Sequence, residues 1–243
     1  MADLAERLRE VRRTLKRGDP VLVFDFEDRE GETDLMFWAA KVRPEHVATL
    51  RERAGGLICV VLHPEHAREI GLPHLVEVYR AAGDEFPLLR ATRPDDIPYD
   101  ERSTFSITVN HRETFTGVTD EDRSLTIRKL AEFFEREHED PIREFGREFR
   151  SPGHVHLLRP FDGLLDERQG HTELTAALLE MVGLEPKVAV ICEMLEPGGG
   201  SMPPDRAREV AEEMGAPFVT GDEILDAWER GLRVRENGKG TVG

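Results

Sequence analysis

Six acidic side chains crowd into ten residues, Asp25-Phe26-Glu27-Asp28-Arg29-Glu30-Gly31-Glu32-Thr33-Asp34, at the end of an apolar run that begins at Val21. If this segment stays extended, Asp28, Glu30, Glu32 and Asp34 project to one side, because successive strand side chains alternate. Two unit charges about 4 Å apart repel by about 4 kcal/mol at an effective dielectric of about 20. A hard divalent cation with oxygen ligands would offset that repulsion. A solvated acidic loop is the plain alternative.

A second group, Arg168-Gln169-Gly170-His171-Thr172-Glu173, opens a helix. The free N–H groups and partial positive charge of a helix start suit a phosphate. Arg168 can add a bidentate fork and Thr172 a hydroxyl, while His171 can ligate a metal through one ring nitrogen. Ordinary capping, with Thr172 as the N-cap, is the competing explanation. His154 follows Pro152-Gly153, read as a tight turn, and starts a strand that could aim it at a cleft. Glu193 comes directly after the apolar run Val188 to Cys192, where a carboxylate must be solvated, paired or functional. Both also suit structural roles. Hydroxyls around Ser103 to Ser106 and Thr114 to Asp122 could bind a sugar phosphate or simply form strand and turns. Cys59, inside a strand, reads as a buried and inert thiol.

The elements that must position these groups follow from periodicity. Leu4, Leu8, Val11 and Leu15 recur at helical spacing up to Gly18-Asp19-Pro20. Val21 to Phe26 and Leu57 to Leu62 read as strands, Leu35 to Ala40 as a further apolar run, and Pro44 as a helix start. Residues 83–103, rich in proline and acid, form a long surface excursion. Strand-like FSITVN from Phe105 precedes a helix over 124–136, a strand from His154 to Leu158 and an amphipathic helix from Thr172 to Val182. A strand from Val188 to Cys192 and helices near 204–214 and 222–230 complete the pattern. The expectation is an α+β protein: one domain over 1–232, a mixed β-sheet covered by helices in an α-β-α sandwich-like arrangement. A disordered tail is expected over 233–243.

Composition narrows the function classes. The chain has 243 residues, 39% of them hydrophobic, with no apolar run long enough for a spanning helix and no apolar signal core in MADLAERLRE. Two cysteines argue against a disulfide framework or thiolate zinc site, and fit a reduced, cytoplasmic setting. Forty-nine acids against 33 bases give a formal charge of -16, which repels nucleic acid and anionic membranes. An anionic small-molecule substrate must therefore meet local arginines or a metal. Only five of the bases are lysines, and high acid with little lysine is halophile-like. The melting temperature is accordingly expected to rise as KCl goes from ~0.1 M to ~1 M, where the Debye length shrinks from ~10 Å to ~3 Å. A flat or falling melting curve would trace the composition to genome bias instead.

Taken in order, six segments resemble the 3,4-dihydroxy-2-butanone 4-phosphate synthase family, archaeal-type and single-domain. They are Asp-Arg-Glu-x-Glu-x-Asp at 28–34, Gly-Gly-Leu-Ile-Cys at 55–59, Thr-Gly-Val-Thr at 116–119, Pro-Gly-His at 152–154, Gly-His-Thr-Glu at 170–173 and Cys-Glu at 192–193. The resemblance spans about Leu4 to Trp228, and the excursion at 83–103 is similar to that of the archaeal branch. It implies a metal-dependent lyase that makes 3,4-dihydroxy-2-butanone 4-phosphate and formate from ribulose 5-phosphate, for riboflavin. It also implies a homodimer with interface active sites and two Mg²⁺ or Mn²⁺ ions per site. By resemblance Glu30 and His171 are metal ligands. Arg29, Glu30, Asp34 and Glu193 contact substrate, and Arg168, Gln169, Gly170, His171 and Thr172 hold its phosphate. His154 and Glu193 are essential, with Glu32 and Asp34 as spare proton carriers. The alternatives are a nucleotide- or RNA-binding module of the YrdC kind, related in fold, and another metal-dependent sugar-phosphate isomerase or aldolase.

Overall fold

In β1 (Val21–Phe24), Leu22 and Phe24 enter one core layer while Val21 and Val23 enter the other. The same split recurs in β2 (Thr33–Trp38), β3 (Cys59–Leu62) and β6 (Val188–Glu193). Strands buried on both faces read as continuous apolar runs, which is why these four stood out in the sequence. The computed structural model describes residues 2–94, 96–98, 100 and 102–234. Three more strands, β4 (Phe105–His111), β5 (Phe149–Leu158) and β7 (Phe218–Thr220), complete one seven-stranded sheet in the order β4-β5-β3-β6-β2-β1-β7. The pairs β1–β7 and β3–β5 are parallel and the other four antiparallel, so the sheet is mixed as expected.

The helices α1 (Ala2–Arg17), α2 (Pro44–Arg53), α3 (Pro64–Glu69), α4 (Leu75–Ala82), α5 (Pro87–Ala91), α6 (Asp120–Phe134), α7 (Pro141–Glu148), α8 (His171–Met181), α9 (Pro204–Met214) and α10 (Gly221–Glu229) flank that sheet. Leu8, Val11 and Leu15 of α1, Leu174 and Leu178 of α8 and Ile224 of α10 cover one face. Val47 and Leu50 of α2, Ile127 and Leu130 of α6 and Val210 of α9 cover the other. The α-β-α sandwich is therefore present, and no described helix is long and apolar enough to cross a membrane.

Several local expectations change. The first strand ends at Phe24, because a turn closed by Arg29 N and Gly31 N on the Phe26 carbonyl follows it. Gly31 supplies the positive φ of +65° that this turn demands, so the acidic segment is not extended and Asp28 is exposed. The helix expected from Ser124 starts at Asp120, since Thr119 caps it by accepting from Asp122 N at 3.1 Å. Pro152-Gly153 is not a turn before a strand. It lies inside β5, in a register shift opposite Val109 and Asn110, where a Cβ on Gly153 would collide with the Val109 backbone. Helix α8 is not amphipathic: every residue except Glu180 is buried. At the end of the described chain, Arg233 lies over the Trp228 ring and Val234 N donates to Met181 O at 2.7 Å. The remainder of the expected tail, 235–243, lies outside the described residues.

Candidate active site

Asp25 follows β1 and is fully buried. Its carboxylate accepts from the backbone N–H groups of Glu30 (3.1 Å) and Glu32 (3.0 Å) and from Arg29 (3.3 Å). A charge buried this deeply is tolerable only when hydrogen-bonded, and here those bonds fold the acidic loop back on itself. The loop delivers Glu30 to the first residue of α8, where Glu30 Oε2 lies 3.2 Å from His171 Nδ1. His171 Nε2 lies 3.2 Å from the Glu32 carbonyl and 3.8 Å from Asp34 Oδ1.

Strand pairing adds the fourth acid. The β2–β6 register sets Asp34 directly opposite Glu193, so the two carboxylates are neighbours across adjacent strands. Burial, then the charges of Glu193, Glu30 and Glu32, overcome His171 and push the Asp34 carboxyl up to about 7. Glu193 is raised as well, first by burial and then by Glu32. Glu30 behaves oppositely: burial would raise it, but the hydrogen bond and charge of His171, with Arg29, hold it at about 2. The imidazole of His171, despite its burial, is raised to about 10 by Asp34, Glu30 and Asp25. Burial, followed by Glu193 and Asp34, pushes the Cys59 thiol well up, so this thiol is no nucleophile.

Glu30, Glu32, Asp34, Cys59, His171 and Glu193 line a cavity of about 290 Å³. Two guanidiniums adjoin these acids, each paired with carboxylates. Arg168 pairs with Glu173 and lies 2.6 Å from Asp100, and Arg29 lies 2.9 Å from the same Asp100 oxygen and 2.7 Å from Glu30. Both guanidiniums crowd the start of α8, where a Cβ on Gly170 would collide with them. Gly170, not Thr172, is the N-cap, which leaves the Thr172 hydroxyl to meet Thr104 Oγ1 at 2.9 Å. One helical turn thus faces acids with His171 and cations with Gly170.

Of the residues singled out in the sequence, Glu30, Glu32, Asp34, Arg168, His171, Thr172 and Glu193 come together around this cavity. Arg29 and Gln169 line a neighbouring cavity that shares Ile97, Asp100, Arg102 and Arg168 with it. His154 does not join them within one chain. It is exposed in the β5 irregularity, tied to Asn110 by its backbone N–H (2.8 Å) and its Nδ1 (3.1 Å). Sequence reading missed three contributors. Asp25 gave the signal of being the first acid after a strand. Glu173 sat inside a recognised motif. Asp100 gave none, being one acid among many in an aperiodic stretch.

Comparison with known proteins agrees with this geometry. The sequence profile of the 3,4-dihydroxy-2-butanone 4-phosphate synthase family matches residues 9–227. The chain is 50% identical over 220 residues to the 3,4-dihydroxy-2-butanone 4-phosphate synthase of Archaeoglobus fulgidus, covering 90% of this chain and 92% of that one. Against the same enzyme of Methanothermobacter thermautotrophicus it is 46% identical over 222 residues, 91% and 95% of the two chains. A crystal structure of a 3,4-dihydroxy-2-butanone 4-phosphate synthase in complex with two magnesium ions superposes with a TM-score of 0.72 at 28% identity, over 91% of this chain and 96% of that one.

Proposed function

The chain belongs to the 3,4-dihydroxy-2-butanone 4-phosphate synthase family, and from that premise we propose that it converts D-ribulose 5-phosphate to L-3,4-dihydroxy-2-butanone 4-phosphate and formate. The observation that carries this reading is the composition of the cavity: Glu30, Glu32, Asp34, Glu193 and His171 line it together with Arg168 and Thr172 from the start of α8, and Arg29 adjoins it at Glu30. A sugar phosphate asks for both sets, cations and helix N–H groups for its dianion and acids for the hydroxyls beside its carbonyl. Neither a nucleotide- or RNA-binding module nor another sugar-phosphate isomerase or aldolase is favoured by the comparisons. Incubation with ribulose 5-phosphate and Mg²⁺ tests the reading. Formate is the expected product, whereas an isomeric pentose phosphate or an aldol fragment would assign a different reaction.

The acidic end fits a divalent cation. Asp25, Glu30 and His171 offer ligand atoms within 4.8 Å of one another, and buried Asp34 Oδ1 has no hydrogen-bond partner among the described residues. Asp25 is committed to the loop backbone, so Glu30 and His171 are the ligands we assign, to Mg²⁺ or Mn²⁺, with two ions per site. A bound ion would act as a Lewis acid, stabilising negative charge on oxygens beside the substrate carbonyl. The protein's own groups do the rest. Arg168, Arg29 and the free N–H groups at the head of α8 hold the phosphate. Asp34, raised to about 7, is suited to take and return protons near pH 7, and Glu193, raised by burial, stands opposite it. The reaction removes one carbon as formate and needs no external oxidant or reductant. Arg168→Ala is expected to raise KM for ribulose 5-phosphate by at least ~10-fold, about 1.4 kcal/mol. An unchanged KM in steady-state kinetics would remove Arg168 from the phosphate site.

A homodimer with shared sites accounts for His154. Beside its Asn110 anchor, the Thr116–Thr119 turn carries Val118, and Phe115 precedes it; they are 52% and 94% exposed. A second copy covering these apolar side chains would receive His154 into its own cavity. Mixing His154→Ala with His171→Ala, each inactive alone, is then expected to restore about a quarter of wild-type activity, because half the dimers carry one intact site. No recovery after mixing and reassociation would place His154 outside the partner's site. A cytoplasmic location, a salt-adapted surface and a partner list without nucleic acid or membrane belong to the same reading.

A further inference from the structure

Between Arg150 and Val155 the β4–β5 pairing shifts register, and the N–H groups of Gly153 and His154 go to side chains of β4 rather than to its backbone. Gly153 N donates to Thr108 Oγ1 at 3.0 Å, and His154 N donates to Asn110 Oδ1 at 2.8 Å. Asn110 is buried, and its carboxamide packs directly on Gly117, where a Cβ would collide with it. Gly117 is held in turn by Asp122. That carboxylate accepts from the N–H groups of Phe115 (3.3 Å), Thr116 (3.1 Å) and Gly117 (2.7 Å). The Asn110 side chain is therefore fixed from both sides.

These bonds decide where the protons sit. A backbone N–H only donates, so the Asn110 atom that faces it is the oxygen. The amide nitrogen then faces His154 Nδ1, at 3.1 Å. An amide nitrogen can donate but not accept, so Nδ1 is the acceptor and carries no proton. In the neutral ring the proton then sits on Nε2. We propose that Asn110 is a positioning residue for His154: it holds the imidazole as the Nε2–H tautomer, so the ring offers a substrate a hydrogen-bond donor and not a base. This rests on the assignment of His154 to the reaction. A fixed N–H donor stabilises negative charge as it develops on a substrate oxygen, without giving up its own proton. A neutral imidazole can polarise a carbonyl in this way. A proton lost from carbon must then go elsewhere, and Asp34 and Glu193 are the carboxyls placed for it.

Long-range ¹H–¹⁵N correlation spectra of the histidine-labelled protein read the tautomer directly, with the His154→Ala spectrum to assign the signal. The neutral wild-type ring is expected to carry its proton on Nε2, with Nδ1 bare. Asn110→Asp keeps the side-chain size but can only accept, so it is expected to put a proton on Nδ1. Kinetics supply the second readout. Asn110→Leu, verified as folded by its melting curve, is expected to lose at least ~10-fold in kcat, with KM for ribulose 5-phosphate changed by less than about twofold. Combined with His154→Ala it is expected to cost nothing further, whereas a merely structural fault would add to that loss. A proton on Nδ1 in the neutral wild-type ring, a bare Nδ1 in Asn110→Asp, or additive losses overturn the proposal. Wild-type turnover by His154→Ala is a different failure. It takes His154 out of the reaction, and the role of Asn110 with it.

Discussion

Formate release is expected to fall to background in excess chelator, and Glu30→Ala and His171→Ala are each expected to lower metal-dependent turnover by ~10³-fold. Lewis-acid stabilisation of transition-state charge is worth several kcal/mol, and ~4 kcal/mol corresponds to that factor. The two side chains meet at 3.2 Å, and each orients the other. If they hold the ion as proposed, losing either one would weaken its binding and misplace the other side chain. The metal should also stabilise the fold, because it relieves the repulsion among Glu30, Glu32, Asp34 and Glu193. Added Mg²⁺ should therefore raise the wild-type melting temperature, following the concentration dependence of a ligand that binds only the folded state. That increment should shrink in both variants. Undiminished formate release in chelator, by wild type or either variant, would rule out a metal role for the pair.

Glu193→Gln is expected to keep near-normal substrate binding while losing at least ~100-fold in kcat, the lower range for one acid–base group. Glutamine preserves the volume and the β6 position opposite Asp34, so the strand pairing should survive. What disappears is a carboxyl that burial and Glu32 raise above its ordinary range. A loss confined to kcat identifies an interaction made as bonds change. Calorimetry of substrate binding beside steady-state kinetics separates the two quantities. If Glu193→Gln turns over normally, proton transfer must rest on Asp34 or Glu32 instead.

Much of this site was legible because its chemistry is concentrated in short segments. The acidic run and the helix start at Gly170 are local patterns, and the buried strands show as unbroken apolar runs. The partner of each segment was not legible. That Asp34 faces Glu193 depends on a strand register between residues 159 positions apart, which no local pattern encodes. The acidic loop defeated a period-two reading because Asp25 and Gly31 favour a turn, and hydrogen bonds to a buried carboxylate outweigh strand propensity. Asp100 was invisible for the opposite reason: its stretch has no period, and its importance comes only from the two arginines it meets.

The first turn of α8 has a consequence for substrate length. His171 meets the acids and Gly170 the guanidiniums, on consecutive residues of a helix start. Helical backbone is stiff, with a pitch of about 5.4 Å, and α8 is buried along nearly its whole length. The spacing between the His171 imidazole and the free N–H groups at the helix head is therefore fixed by the helix itself. In the proposed reading, a sugar phosphate one carbon shorter or longer can seat its phosphate or present its carbonyl to the acids, but not both together. Carbon count would then be read by the skeleton of the fold.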